Sequence, residues 1–385
     1  MSSEGWKKVQ LGDILTLHYG KALVSHDRNP GFIPVYSSSG ITGWHDKPLV
    51  NDKGIIIGRK GNVGSIYYSD TPFYCIDTAY YVTPDDTDVD FMFLYYLLQT
   101  LGLNGLNEDS AVPGLNRETA LAQWVNIPVE KQIQNLIANQ IAAFDEKIKL
   151  NRQTNSTLEA IAQAIFKEWF VDFNYPGATG EMVESELGPI PKGWSIGRVD
   201  DIVDLQPGFS FKSRDFVSAG KFRLITIKNV QDGILSLTNT NYLDEIPSRM
   251  PDYCLLNEGD ILISLTGNVG RVCFVYDKDL LLNQRVAKLH PKGGMLWSYT
   301  YSLFRNNAVK ADLIELSKGT AQLNLSIVET KQKSIMIPTR ELLLQYELVT
   351  SDIYKKFIDN FKEQNLLTLL RETLLPKLMS GEIEI

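Results

Sequence analysis

The sequence predicts an α+β protein: two β-rich α/β globular units at 1–128 and 192–338, separated by two long antiparallel coiled-coil helices at 129–173 and 339–385, in an internal pseudo-two-fold repeat. Residues 174–191 read as a linker. Three observations predict this. The chain is written twice, each copy holds short β-branched and aromatic runs between turn residues, and each copy ends in a long stretch rich in helix formers.

The repeat comes first, because missing one misreads a whole fold. GWKKVQLGDIL from Gly5 returns as GWSIGRVDDIV from Gly193, an offset of 188. GIIIGRKGNVGSIYY from Gly54 returns near an offset of about 205 as GDILISLTGNVGRVCF from Gly259, and GLNRETALAQWVNIP, ending at Pro128, as QLNLSIVETKQKSIMIP, ending at Pro338. Within the copies, Gly54 to Gly58, Ser65 to Tyr68 and Asp260 to Leu265 read as strands bounded by Gly, Asn and Asp turns. Asp90 to Leu101 and Met295 to Phe304 read as helices covering a sheet.

After Pro128, apolar residues fall at Ile137, Ile141, Phe144, Ile148, Leu158, Ala162, Ile165 and Trp169, with Asn151 and Asn155 filling two places in the same stripe. Alternating four and three spacing over that span needs a helix of about 40 residues, roughly 60 Å at 1.5 Å per residue, the habit of a coiled coil. The second copy offers Tyr346, Ile353, Phe357, Leu367, Leu370 and Leu374, less regularly. Two matched amphipathic helices in one chain bury their stripes against each other, and the two asparagines fit a partner helix held in one register. Leu136, Leu150, Ile161, Phe166, Leu348, Leu366 and Leu375 fall off this seam; they are either docking positions for other proteins or buried against the chain's own domains.

At 385 residues with 44% hydrophobic, 22% charged and 10% aromatic side chains, the chain has ordinary globular usage, which excludes disordered, collagenous and disulfide-scaffold classes. Cys75, Cys254 and Cys273 are odd in number and far apart, the pattern of reduced thiols in a cytoplasmic protein. No signal-peptide core and no run of about 18 apolar residues occurs. A net charge of −8 excludes a uniformly basic coat, yet residues 5–128 carry 9 basic against 13 acidic side chains while 192–340 carry 19 against 15. Acidity concentrates in the helices and linker.

No phosphate-cradling G-x-x-x-x-G-K-[ST] loop, no H-E-x-x-H and no G-x-S-x-G elbow is present, and His18, His26, His45 and His290 are scattered without metal spacing. Asn29-Pro30-Gly31-Phe32 fails the amino-methyltransferase pattern at its third position. The reading is therefore non-catalytic, with no metal site. Basic and polar residues gather on turns instead: Arg59, Lys60 and Asn62; Lys212 and Arg214; Lys228 and Asn229; Asn268 and Arg271. Arginine pairs with guanine and asparagine with adenine in the major groove, so these surfaces are candidate DNA contacts, although any single one of the residues on its turn is more often a solubilising residue. Tyr67, Tyr68, Tyr80, Tyr81, Tyr95 and Tyr96 have the faces to stack on bases, but paired aromatics in apolar strands more often face a core.

The order of globular unit, IP, a helix ending AIAQAIFKEWFVDF, the re-entry SELGPIPKGW, a second unit, IP, and a helix ending LLRETLLPKLMSGEI resembles the specificity subunit of type I restriction-modification enzymes over essentially the whole chain. The resemblance implies two target recognition domains, each reading one half of a bipartite, double-stranded DNA target, with the long helices as the conserved regions. It implies two modification (methyltransferase) subunits clamped around this chain and restriction/translocase subunits joining them. S-adenosylmethionine, ATP and Mg then belong to those partners. The competing reading is a coiled-coil scaffold carrying two protein- or glycan-binding domains.

Overall fold

A computed structural model describes residues 5–106, 114–293, 296–317 and 323–383, so the outermost ends of the first expected domain and of the last expected helix, and Met295, lie outside the described residues. The chain forms two compact units. The first combines residues up to Ile148 with those from Leu366 on; the second is Lys149–Asn365.

In the first unit, Trp6–Gln10 and Trp124–Pro128 form an antiparallel ladder that ties the start of the domain to its end. Between them a four-stranded antiparallel sheet runs in the order His18–Tyr19, Ala79–Val82, Gly54–Gly58, Ile66–Ser69. A three-stranded sheet orders Gly40–His45, Ile33–Ser37, Tyr74–Cys75, the last pair parallel. The central strand Gly54–Gly58 is buried throughout. Successive side chains of a strand point to opposite faces. Accordingly Ile55 and Ile57 join the core under the helix Phe91–Thr100, while Ile56 packs with Tyr36, Phe73 and Cys75 on the other face. The helix starts where it does because the Asp90 carboxylate accepts the Phe93 N–H at 2.9 Å.

The second unit repeats this plan. Ser195–Arg198 pairs with Ser334–Ile337. Its four-stranded sheet runs Val203–Pro207, Val286–Pro291, Ile261–Ser264, Val272–Phe274. Its second sheet runs Asn241–Leu243, Phe222–Ile225, Leu280–Leu282, Leu255–Leu256, again with one parallel pair, Phe222–Ile225 on Leu280–Leu282, and with one more edge strand than the first unit has. The helix Trp297–Arg305 takes the place of Phe91–Thr100. The stretch 174–191, read as a linker, holds a short ladder of Met182–Val183 with Ile190–Pro191, and Ile190 is buried in the core of this unit. All three cysteines are free and buried, and burial pushes the Cys75 thiol up to about 12.

Two helices of 40 and 41 residues, Lys131–Phe170 and Arg340–Ser380, each give one end to each unit. They form no body of their own. In the second unit they lie side by side and run in opposite directions: Asn151 Nδ2 donates to Glu363 Oε2 at 2.7 Å, Asn155 Nδ2 to the Phe357 carbonyl at 3.0 Å, and Tyr346 Oη to the Ala162 carbonyl at 3.5 Å. Asn360 Nδ2 donates to Asn155 Oδ1 at 2.8 Å, and Phe357 is buried beside them. In the first unit the Arg371 guanidinium reaches the Asp145 carboxylate at 2.6 Å, and Ile137 and Ile141 share a core with Leu378 and Met379, Leu374 packing at its edge.

The buried stripe is wider than a two-helix seam. Leu158, Ile165, Trp169 and Ile353 are partly buried against the second unit's core, whereas Ala162, Phe166 and Phe170 lie within it. The reason is a third partner: Phe170 also meets Tyr299 of the helix Trp297–Arg305, at 4.9 Å between ring centroids. Phe144 and Leu367 are likewise half-buried, and Ile148 is buried. Of the off-seam positions, Phe166 and Leu375 are buried, which removes them as docking residues; Leu136, Leu150, Ile161, Leu348 and Leu366 are exposed.

Candidate nucleic-acid interface

At one end of each four-stranded sheet, a GNVG turn is built the same way twice. Gly61 and Gly64 have φ of 79° and 72°, Gly267 and Gly270 72° and 76°, the left-handed region that glycine enters without a Cβ penalty. The Gly64 N–H donates to the Gly58 carbonyl at 2.8 Å and the Gly270 N–H to that of Ser264 at 3.0 Å. Val63 and Val269 point inward as buried anchors. The asparagines between glycine and valine, Asn62 and Asn268, are exposed.

Neighbouring segments brace each turn through matching bonds. Leu115 N–H donates to the Arg59 carbonyl at 2.8 Å, and Leu325 N–H to the Leu265 carbonyl at 2.7 Å. Arg59 N–H donates to the Thr78 carbonyl at 2.9 Å, and Leu265 N–H to the Arg285 carbonyl at 2.8 Å. Each unit therefore presents a platform of adjoining turns, rigid because its backbone groups are mutually satisfied.

In the first unit the Arg59 guanidinium lies 5.0 Å from the centre of the half-exposed Tyr19 ring and donates to the Asp77 carbonyl at 3.2 Å. Arg117 approaches the same ring at 6.0 Å. Burial, reinforced by Tyr19, pushes the Tyr80 phenol up to about 12, so it stays neutral and donates to the Leu115 carbonyl at 3.0 Å. Lys60 is exposed beside Arg59, and Asn62 Nδ2 donates to Ser39 Oγ at 3.2 Å.

In the second unit Arg271 Nη1 donates to Gln231 Oε1 at 2.7 Å, Gln231 Nε2 donates to the Lys228 carbonyl at 2.7 Å, and the Asn268 amide faces the Arg271 guanidinium. Lys228, Asn268 and Arg271 thus share one surface. Asn229 does not belong to it. It is 2% exposed, its Oδ1 accepts from Thr226 N and Oγ1 and its Nδ2 donates to the Ser236 carbonyl, so nothing is left to read a base. Lys212 and Arg214 are exposed on a separate turn, Ser213–Asp215, with Arg214 3.5 Å from the Asp215 carboxylate; among the described residues no hydrogen bond ties their side chains to the platform.

Among the described residues no carboxylate pairs with Arg59, Lys60, Lys228, Arg271 or Arg285, whereas Arg223, Lys288, Arg305 and Lys331 are held by Asp277, Asp260, Glu159 and Asp204. Arg59, Lys60, Lys228, Arg271 and Arg285 are thus left uncompensated at the platforms, where phosphates would meet them. Among the tyrosines, Tyr80 and Tyr96 are buried, the latter donating to Asp145 at 2.8 Å, and Tyr68 packs on Phe91 and Tyr95. Among the described residues no group of three or more His, Cys, Asp or Glu side chains is placed to hold a metal ion, and no helix is long and apolar enough to cross a membrane.

The family model of the type I restriction modification DNA specificity domain matches residues 3–160 and again 191–370. This chain belongs to that family. The specificity subunit of the type I restriction enzyme MjaIX of Methanocaldococcus jannaschii is 26% identical over 341 residues, 86% of this chain and 78% of that one. That of the HindI enzyme of Haemophilus influenzae is 23% identical over 391 residues, 84% of this chain and 85% of that one. The crystal structure of the type I restriction-modification S subunit from M. genitalium shares the fold, with a TM-score of 0.64 at 18% identity over 98% of both chains. Each of the two specificity-domain matches encloses one GNVG platform. Within this family member, sequence reasoning passed over Tyr19, Arg117 and Arg285. Tyr19 and Arg117 join Arg59 only through folding, and nothing in the string NQRVA marks Arg285 as a residue with φ of 71°.

Proposed function

We propose that this specificity subunit reads a bipartite double-stranded DNA target, one half with each GNVG platform. The observation that carries the reading is the duplicated platform itself: two sites of one construction, each collecting uncompensated basic side chains, inside two matches to a DNA specificity domain. Two short elements read together multiply discrimination, since a wrong base pair costs about 1 to 3 kcal/mol.

The long helices act as the ruler between half-sites, supported by each helix giving one end to each unit. Their exposed Leu136, Leu150, Ile161, Leu348 and Leu366 dock modification subunits. The chain itself is non-catalytic and works in the cytoplasm; modification subunits carry S-adenosylmethionine, and restriction/translocase subunits use ATP and Mg. The scaffold reading with protein- or glycan-binding domains is not favoured by two matches to a DNA specificity domain.

Exchanging residues 192–338 for the equivalent segment of a relative tests this. Sequencing of methylated sites in cells carrying the assembled complex should reveal a target changed in one half and unaltered in the other. A change in both halves, or in neither, rejects independent reading. Binding of the complex to DNA should also weaken steeply between 50 and 200 mM salt, as phosphate contacts require.

A further inference from the structure

The strand registers of the two units can be laid over one another residue by residue. Gly58 opposes Ala79 in the first unit and Ser264 opposes Val286 in the second. One step outward, Arg59 is hydrogen-bonded to Thr78, and Leu265 to Arg285. Each unit therefore carries one arginine in this bonded pair, but on opposite members: on the GNVG turn in the first, on the facing loop in the second.

Arg285 is also held at a φ of 71°, a conformation that the other described non-glycine residues adopt only at Phe173, Asn239 and Asp279. Asparagine and aspartate enter that region with local side-chain help, and glycine without cost; a long cation has neither advantage. The strand start at Val286 and the Leu265 N–H bond impose the conformation, so folding alone would favour glycine here. The Arg285 side chain is exposed and makes no ion pair among the described residues. A residue that is costly to the fold and free of ion pairs at the surface of a platform points to a role outside the chain.

We propose that Arg285 is the base-reading arginine of the second unit and the counterpart of Arg59 in the first, the two units supplying one guanidinium each at the same locus from opposite members of the pair. This rests on the DNA-reading function proposed above. A guanidinium donates two parallel hydrogen bonds to the O6 and N7 of guanine, and a backbone fixed on both sides of the residue limits which base pair it reaches.

The test uses the complex purified through a tag on this chain, incubated with a duplex library of randomised sequence, the bound fraction being sequenced. R285G should lose preference at one base pair of one half-site, by about tenfold or more, with the other half intact and the melting temperature equal to or above wild type, because glycine relaxes the left-handed φ. R59L should lose preference within the opposite half only. A wild-type complex that enriches no motif overturns the DNA-reading function and this inference with it; a wild-type motif that R285G leaves intact overturns this inference alone. Weakening of all sequences alike, with the salt dependence reduced by about one phosphate contact, makes Arg285 an anchor and also overturns it. Should R285G melt lower than wild type, R285N, which tolerates the same φ, is read by the same outcomes.

Discussion

Gly64 and Gly270 occupy the same place in the two turns and differ in what surrounds them. A Cβ on Gly64 would stand 2.3 Å from the Asn104 backbone nitrogen, whereas one on Gly270 would meet only the Lys310 side chain at 3.5 Å. Replacement by alanine costs about 1 to 2 kcal/mol at either site for the left-handed backbone, and at Gly64 it must also displace the turn Leu103–Gly105. In thermal and urea denaturation, G64A should therefore be clearly less stable than G270A. The glycines were legible because GNVG recurs in the sequence; the asparagines were only half so. Asn268 at a turn tip and Asn229 inside one are the same residue in a string, and only folding reveals that the Asn229 amide is consumed by Thr226 and Ser236.

Between the long helices of the second unit and away from water, Asn360 Nδ2 donates to Asn155 Oδ1 while Asn155 Nδ2 donates to the Phe357 carbonyl. N360L leaves the Asn155 amide oxygen without that donor and should cost about 1 to 3 kcal/mol. The double variant N155L/N360L should recover much of the loss, and a double-mutant cycle by urea denaturation measures the coupling. What the recovered variant gives up is register, since an apolar pair slides at less cost than a hydrogen-bonded one. The stripe on the first helix was readable from its spacing, and its two asparagines stood out as polar gaps. Their partners were not readable: Asn360 and Glu363 sit on a helix whose own periodicity is weaker, and the burial of Phe166 depends on Tyr299, which lies far away in sequence.

For the chain as a whole, the ruler proposal has a direct test. Four residues added between Ile148 and Lys149, matched by four between Asn365 and Leu366 so that the asparagine pairing is preserved, lengthen each helix by about 6 Å. At 3.4 Å per base pair, the gap between half-sites should grow by roughly two base pairs while both half-sites keep their sequences; methylation mapping reads the result, and an unaltered gap rejects the ruler. The architecture itself was legible because duplication left three matching strings in order. The division into units was not, because chain order hides that each helix ends in a different unit from the one in which it begins.

That division governs how the molecule is made. Leu375, Leu378 and Met379 complete the core begun by Leu11, Leu94 and Ile137, so the portion translated first stays open, with apolar surface uncovered, until the segment from Leu366 on has been made. Its assembly waits on contacts more than two hundred residues apart, the kind that form slowly and invite aggregation. A chain cut before Leu366 would keep every residue of the second unit and leave the core of the first uncovered.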